Sequence, residues 1–147
     1  MRALDRSVQP SRPEFDVHLT ENVPVAMRDG VRLATDVYRP ARDGRALDDP
    51  RPVILHRTPY NKTETEATFG ECRWFAARGY VVVNQDCRGC FHSEGDVNFL
   101  VPEAEDGADT IAWIRGQAWS NGTVGSFGTS WSGWTQTAMA ALALLCH

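Results

Sequence analysis

Three short apolar runs with helical stretches between them leave this chain few folds to choose from. Val53-Ile54-Leu55, Tyr80-Val81-Val82-Val83-Asn84 and Thr123-Val124-Gly125-Ser126-Phe127 are compact runs without strict alternation, as expected for strands buried on both faces of a parallel sheet. Between the first two, residues 66–77 predict a helix, with Gly79 in the position favoured beyond a helix end. Between the second and third, Pro102 opens a helix whose first turn holds Glu103, Glu105 and Asp106, where acids suit the dipole. Ala104, Ala108, Ile111 and Ala112 fall on one face of it. A last helix is predicted after Gly133, with Ala138, Leu142 and Leu145 on one stripe. Ahead of this alternation, Val17, Leu19, Val23 and Val25 lead to the turn Arg28-Asp29-Gly30, and Val31, Leu33, Thr35 and Val37 lead away from it, which predicts a β-hairpin. Pro40 to Pro52 reads as a polar connection. The expectation is an α/β fold: an N-terminal antiparallel hairpin, then parallel strands alternating with helices. Residues 1–14, with Pro10 and Pro13 and no periodicity, predict a flexible lead-in, and residues 15–147 a single domain.

Composition removes several function classes. The net charge of −4, spread without long charge runs, gives no electrostatic footprint for nucleic acid or an anionic membrane surface. No apolar segment follows the charges of residues 1–6, and the longest apolar run, Ala138 to Cys146, is too short to span a bilayer. These features predict a soluble cytoplasmic protein with neither nucleic acid nor membrane as a partner. Cys72, Cys87, Cys90 and Cys146 read as reduced structural thiols. Cys87-Arg88-Gly89-Cys90 has no second ligand pair for zinc, and it follows a strand rather than opening a helix as a redox pair would. No metal or organic cofactor is expected.

The chemistry concentrates in Gly128-Thr129-Ser130-Trp131-Ser132-Gly133, where a serine stands between a predicted strand and a predicted helix with a glycine two residues before it. This is the pattern of a nucleophile elbow, in which a strained turn lifts the serine hydroxyl above the sheet and small neighbours let strand and helix approach. The second glycine stands at +3 from Ser130, where the common pentapeptide has it at +2. Ser132, the rival nucleophile, has no glycine two residues upstream. The same residues also fit a glycine-rich turn with capping serines.

A wider set of motifs resembles one family. Glu105-Asp106-Gly107-Ala108-Asp109-Thr110-Ile111-Ala112-Trp113-Ile114, Gln117-Ala118-Trp119, Asn121-Gly122, Val124-Gly125 and Gly128 to Gly133 closely resemble the cocaine esterase and X-prolyl dipeptidyl peptidase family of serine hydrolases. Met27 to Ala34 with Asp36 and Tyr38-Arg39-Pro40, then Thr58-Pro59-Tyr60-Asn61-Lys62, then Gln85 to Gly89 with Ser93-Glu94-Gly95, match in the same order. In that family the +3 glycine is usual. The resemblance implies an α/β-hydrolase fold and acyl transfer from a small ester or peptide substrate. It implies that Ser130 is the nucleophile, and that the phenolic OH of Tyr60 and the backbone N–H of Trp131 are the oxyanion donors.

In that fold the triad acid and histidine follow the serine. After Ser130 the sequence holds no Asp or Glu, and its one histidine is His147. The expectation is therefore a truncated N-terminal part of a catalytic domain, inactive alone, with the acid and histidine outside this chain. His18, His56 and His92 precede the serine; His92 reads as a surface residue, and Asp86 and Arg88 as a polar pair at a strand end. Two rival readings are a non-catalytic remnant that binds a partner through its apolar last helix, and a thiol redox protein using Cys87 and Cys90.

Overall fold

The computed structural model describes residues 11–143, so the expectations for residues 1–10 and for Leu145, Cys146 and His147 lie outside the described residues. Its elements are β1 (Asp16–Ala26), β2 (Arg32–Arg42), β3 (Arg45–Ala46), β4 (Arg51–Thr58), α1 (Lys62–Phe69), α2 (Glu71–Ala76), β5 (Val81–Asp86), α3 (Glu103–Arg115), β6 (Ser120–Ser126) and α4 (Ser130–Ala143). The strands form one mixed sheet in the order β1-β2-β5-β4-β6, with the two-residue β3 beside the end of β2. β1, β2 and β5 run antiparallel to their neighbours in turn, whereas β5 and β6 flank β4 in parallel. The antiparallel hairpin and the parallel alternation are both present.

Side-chain alternation along β5 explains the layering. Val81 and Val83 point to a core shared with Val53, Leu55, Ile111, Ile114 and Met139, under α3 and α4. Val82 points to the other face, with Tyr38 and with Cys72 and Ala76 of α2. Each Val, Leu, Ile or Met side chain among these that is removed from water contributes about 1.5–3 kcal/mol. Helices α3 and α4 cross closely at Gly107, where a Cβ would stand 2.4 Å from Met139 Cβ. No helix among the described residues is long and apolar enough to cross a membrane.

Several boundaries differ from the sequence expectation, each for a local reason. The single helix expected over 66–77 is two, because Gly70 adopts φ 64° and ends α1 with its N–H on the Glu66 carbonyl. The Glu66 carboxylate then accepts the N–H groups of Cys72 and Arg73, satisfying the opening amides of α2. Within the expected polar connection, β2 continues through Pro40 and folds back at Asp43 and Gly44, both at positive φ, to make β3. Helix α4 begins at Ser130 rather than after Gly133. The third apolar run is not a fully buried strand: β6 pairs with β4 alone among the described residues, and its residues are half-buried or exposed. Residues 11–14 lie against the end of α2, where the Glu14 N–H donates to the Ala77 carbonyl and Arg78 Nε to the Ser11 carbonyl.

Candidate active site

The chain order reverses around β4: it passes to β5 on one side and later to β6 on the other. In open α/β sheets the crevice at the carboxyl ends of strands where the order reverses is where ligands bind. The parallel partners β4 and β6 both end there, and the loops leaving them carry Tyr60 and Ser130.

The β4 loop is held on both sides of Tyr60. The Tyr60 N–H donates to Thr58 Oγ1 at 3.0 Å, and Asn61, at φ 69°, caps α1 by accepting from the Thr63 N–H at 3.2 Å. Lys62 is then fixed at three points. Its N–H donates to Asp86 Oδ1 at 2.8 Å, its carbonyl accepts from Asn84 Nδ2 at 3.1 Å, and its buried Nζ lies 3.0 Å from Asp36 Oδ1 and 2.9 Å from Asn22 Oδ1. Burial raises the pKa of Asp86, and the hydrogen bond from the Lys62 amide opposes that rise.

The β6 loop turns sharply. Gly128 sits at φ 153°, and a Cβ there would come within 2.7 Å of the Ser132 carbonyl oxygen. Ser130 has φ 55°, a left-handed conformation that costs a side-chain-bearing residue about 1–3 kcal/mol and that is kept only where the surroundings enforce it. Gln136 ties the turn together, accepting from Ser126 Oγ at 3.0 Å and donating to the Gly128 carbonyl at 3.1 Å. Ser130 is exposed at the start of α4, whereas the rival Ser132 is buried.

The two loops meet in a short chain of hydrogen bonds. The Trp131 N–H donates to the Tyr60 phenolic oxygen at 3.3 Å, and the phenol donates to Ser130 Oγ at 3.1 Å. The structure thus brings together the three residues singled out in the sequence, a hydroxyl, a phenol and an opening amide of a helix. Beside Tyr60 a cavity of about 410 Å³ is lined by His56, Thr65, Phe69, Phe127 and Thr129 among others. The buried His56 stacks on Phe127 with ring centroids 4.6 Å apart, and its Nδ1 lies 3.0 Å from Asn84 Oδ1. Burial pushes the His56 pKa down, partly offset by that hydrogen bond.

Other sequence expectations fare differently. Asp86 and Arg88 do not pair. Asp86 turns back to the Lys62 amide, while Arg88 binds Asp106 at 2.6 Å and Asp29 at 2.7 Å. His92 is largely exposed, with Nδ1 3.6 Å from Asp86 Oδ2. Cys87 and Cys90 are free thiols whose pKa values burial raises, the opposite of what a thiol redox site needs.

Three buried charges near the site, Arg57, Lys62 and Glu103, were given no site role from sequence. The Glu103 carboxylate meets Arg57 Nη1 at 2.8 Å and accepts the Trp131 indole N–H at 3.0 Å. Arg57 and Lys62 flank Tyr60 within a few residues of it, the one signal that could have marked them.

Comparison with known proteins places the chain among hydrolases. The chain is 48% identical over 121 residues to a cocaine esterase of Rhodococcus sp. (strain MB1 Bresler), a match covering 80% of this chain and 20% of that protein. It is 36% identical over 128 residues to a putative serine esterase of Mycobacterium bovis, covering 74% of this chain and 20% of that one. Among solved structures, an α-amino acid ester hydrolase superposes with a TM-score of 0.70 at 30% identity, covering 91% of this chain and 25% of the other. A CocE/NonD family hydrolase from Staphylococcus aureus gives a TM-score of 0.71 at 27% identity, covering 84% and 25%. The chain thus spans a fifth to a quarter of the length of these relatives, and its sheet is part of an α/β-hydrolase fold. The family model described as X-Pro dipeptidyl-peptidase (S15 family) matches residues 29–144, so the turn at Ser130, the Tyr60 loop and strands β2 to β6 fall within the match, and the chain belongs to that family.

Proposed function

We propose that this chain supplies the nucleophile and the oxyanion donors of a serine hydrolase that cleaves ester or amide bonds by acyl transfer. The observation that carries the reading is the linked set Trp131 N–H, Tyr60 OH and Ser130 Oγ at the start of α4. Ser130 Oγ attacks the substrate carbonyl and gives its proton to a base. The carbonyl oxygen becomes an oxyanion that accepts hydrogen bonds from the phenol, whose O–H rotates to it, and from the fixed Trp131 N–H. Their placement at a helix N-terminus adds the favourable end of the dipole to that charge. Collapse of the tetrahedral intermediate expels the alcohol or amine and leaves an acyl-serine, which water then hydrolyses.

After Ser130 the sequence holds no Asp or Glu and one histidine, His147, so no acid in this chain follows the serine in the order the fold uses. The relatives carry the names of esterases and of a putative Xaa-Pro dipeptidyl-peptidase, so the substrate class is a small ester or a peptide. Fluorophosphonate labelling of the intact protein tests the assignment. The wild type is expected to label and Ser130→Ala not to; equal labelling of the two removes Ser130 from the mechanism.

A further inference from the structure

We propose that Glu103 is a positioning residue that sets the spacing of the two oxyanion donors, a proposal that rests on the roles given above to Ser130, Tyr60 and Trp131. Glu103 is the first residue of α3, and its carboxylate is buried between the two elements that carry those donors. One oxygen, Oε2, lies 2.8 Å from Nη1 of Arg57, which stands near the end of β4, three residues before Tyr60. The other, Oε1, accepts the indole N–H of Trp131 at 3.0 Å, and the backbone N–H of that same residue is the second donor.

Both ends of this bridge are themselves fixed. Arg57 Nη1 also donates to the Glu103 backbone carbonyl at 3.0 Å, and Arg57 Nε donates to Gln85 Oε1 at 2.9 Å in β5. Gln85 is held in turn by Thr110 Oγ1 of α3 at 3.0 Å and by Thr35 Oγ1 of β2 at 3.0 Å. On the far side, the Trp131 ring meets Phe99 edge to face at 4.5 Å. The side chains of Arg57 and Glu103 are 0% and 2% exposed, so solvent does not loosen the pair.

Stability alone does not account for such a pair. Apolar residues of the same volume would fill this space at no greater cost, because desolvation cancels most of the attraction between buried charges. What apolar packing does not supply is direction. A carboxylate with one oxygen committed to β4 and the other to α4 transmits the position of one element to the other. Oxyanion donors act within a few tenths of an ångström of their working distance. Lys62 anchors the Tyr60 loop on its other side but has no bond to the Ser130 turn among the described contacts, so beside the donors' own contact, Trp131 N–H to Tyr60 OH, Glu103 joins β4 itself to the Trp131 side chain.

The test is a cycle in the intact protein, with p-nitrophenyl acetate as the ester probe. Trp131→Phe deletes the indole N–H while keeping an aromatic ring and the backbone donor. It is expected to lower kcat roughly ten- to hundredfold with KM held within about twofold, as misplacement of donors does. Its melting temperature should stay within about 2 °C of wild type, which separates positioning from folding. Glu103→Gln turns an amide toward Arg57 and should lose at least as much kcat, but adding it to Trp131→Phe should cost far less than it costs alone. Wild-type kcat in Trp131→Phe, or losses that simply multiply in the double variant, would overturn the proposal. Trp131→Phe keeps the test decisive even where Glu103→Gln fails to fold. Ser130→Ala with a fluorophosphonate separates the two layers: continued labelling overturns the nucleophile assignment, whereas lost labelling beside an unimpaired Trp131→Phe overturns the role of Glu103 alone.

Discussion

Tyr60 hydrogen-bonds both of the groups it would work beside, receiving from the Trp131 amide and giving to Ser130 Oγ. A substrate carbonyl entering the site therefore displaces one contact that the donors make with each other. Tyr60→Phe removes a donor that is needed chiefly when charge develops, so kcat should fall by about 2.7–4 kcal/mol in barrier terms with KM little changed, as steady-state kinetics would show. Gly128→Ala drives a Cβ to within 2.7 Å of the Ser132 carbonyl oxygen at a backbone angle few side chains adopt. Loss of fluorophosphonate labelling and a destabilisation of about 1–3 kcal/mol by denaturant titration are expected. The turn at Ser130 was legible because it is a local pattern of glycine spacing with a strand before and a helix after, whereas the Trp131 amide was marked only through family resemblance. Tyr60 was legible only through family resemblance, since its partner lies 70 residues away. The burial and pairing of Arg57, Lys62 and Glu103 were not legible, because a charged side chain in a sequence looks the same whether water or a buried counter-ion receives it.

Helices α3 and α4 meet where Gly107 lies under Met139. Gly107→Ala should wedge them apart at an overpacking cost of about 1–3 kcal/mol, read as a lowered melting temperature, and Met139→Ala in the same chain should not rescue it, because alanine keeps the Cβ that is struck. Because α4 opens with Ser130, the wedge should also slow acylation. Element types were readable from periodicity, and element ends were not. The helix expected over 66–77 runs across Gly70, whose positive φ, with Glu66 serving both helices, makes it two. The third strand looked buried because its composition resembled the others, but burial depends on how many neighbours a strand has, and β6 has one among the described residues.

Across the whole molecule, acid should weaken the fold through His56. Burial holds its pKa below the ordinary value of about 6.5, so the unfolded chain binds that proton more tightly than the folded one. The stability tied to this group is complete above pH of about 6.5 and is lost as pH falls from there toward the lower folded value. Melting temperature should drop between about pH 7.5 and pH 5.5, and His56→Gln should flatten that part of the profile.

The sheet order has a consequence for biogenesis. β4 leaves the ribosome long before its parallel partner β6, because α1, α2, β5 and α3 all come between them. At ordinary synthesis rates the roughly 60 intervening residues take about 3–12 s, during which one edge of β4 has no strand to pair with. A nascent chain in that interval presents an apolar edge open to wrong pairing, so chaperone demand should peak before residue 120 is made and ease once β6 docks.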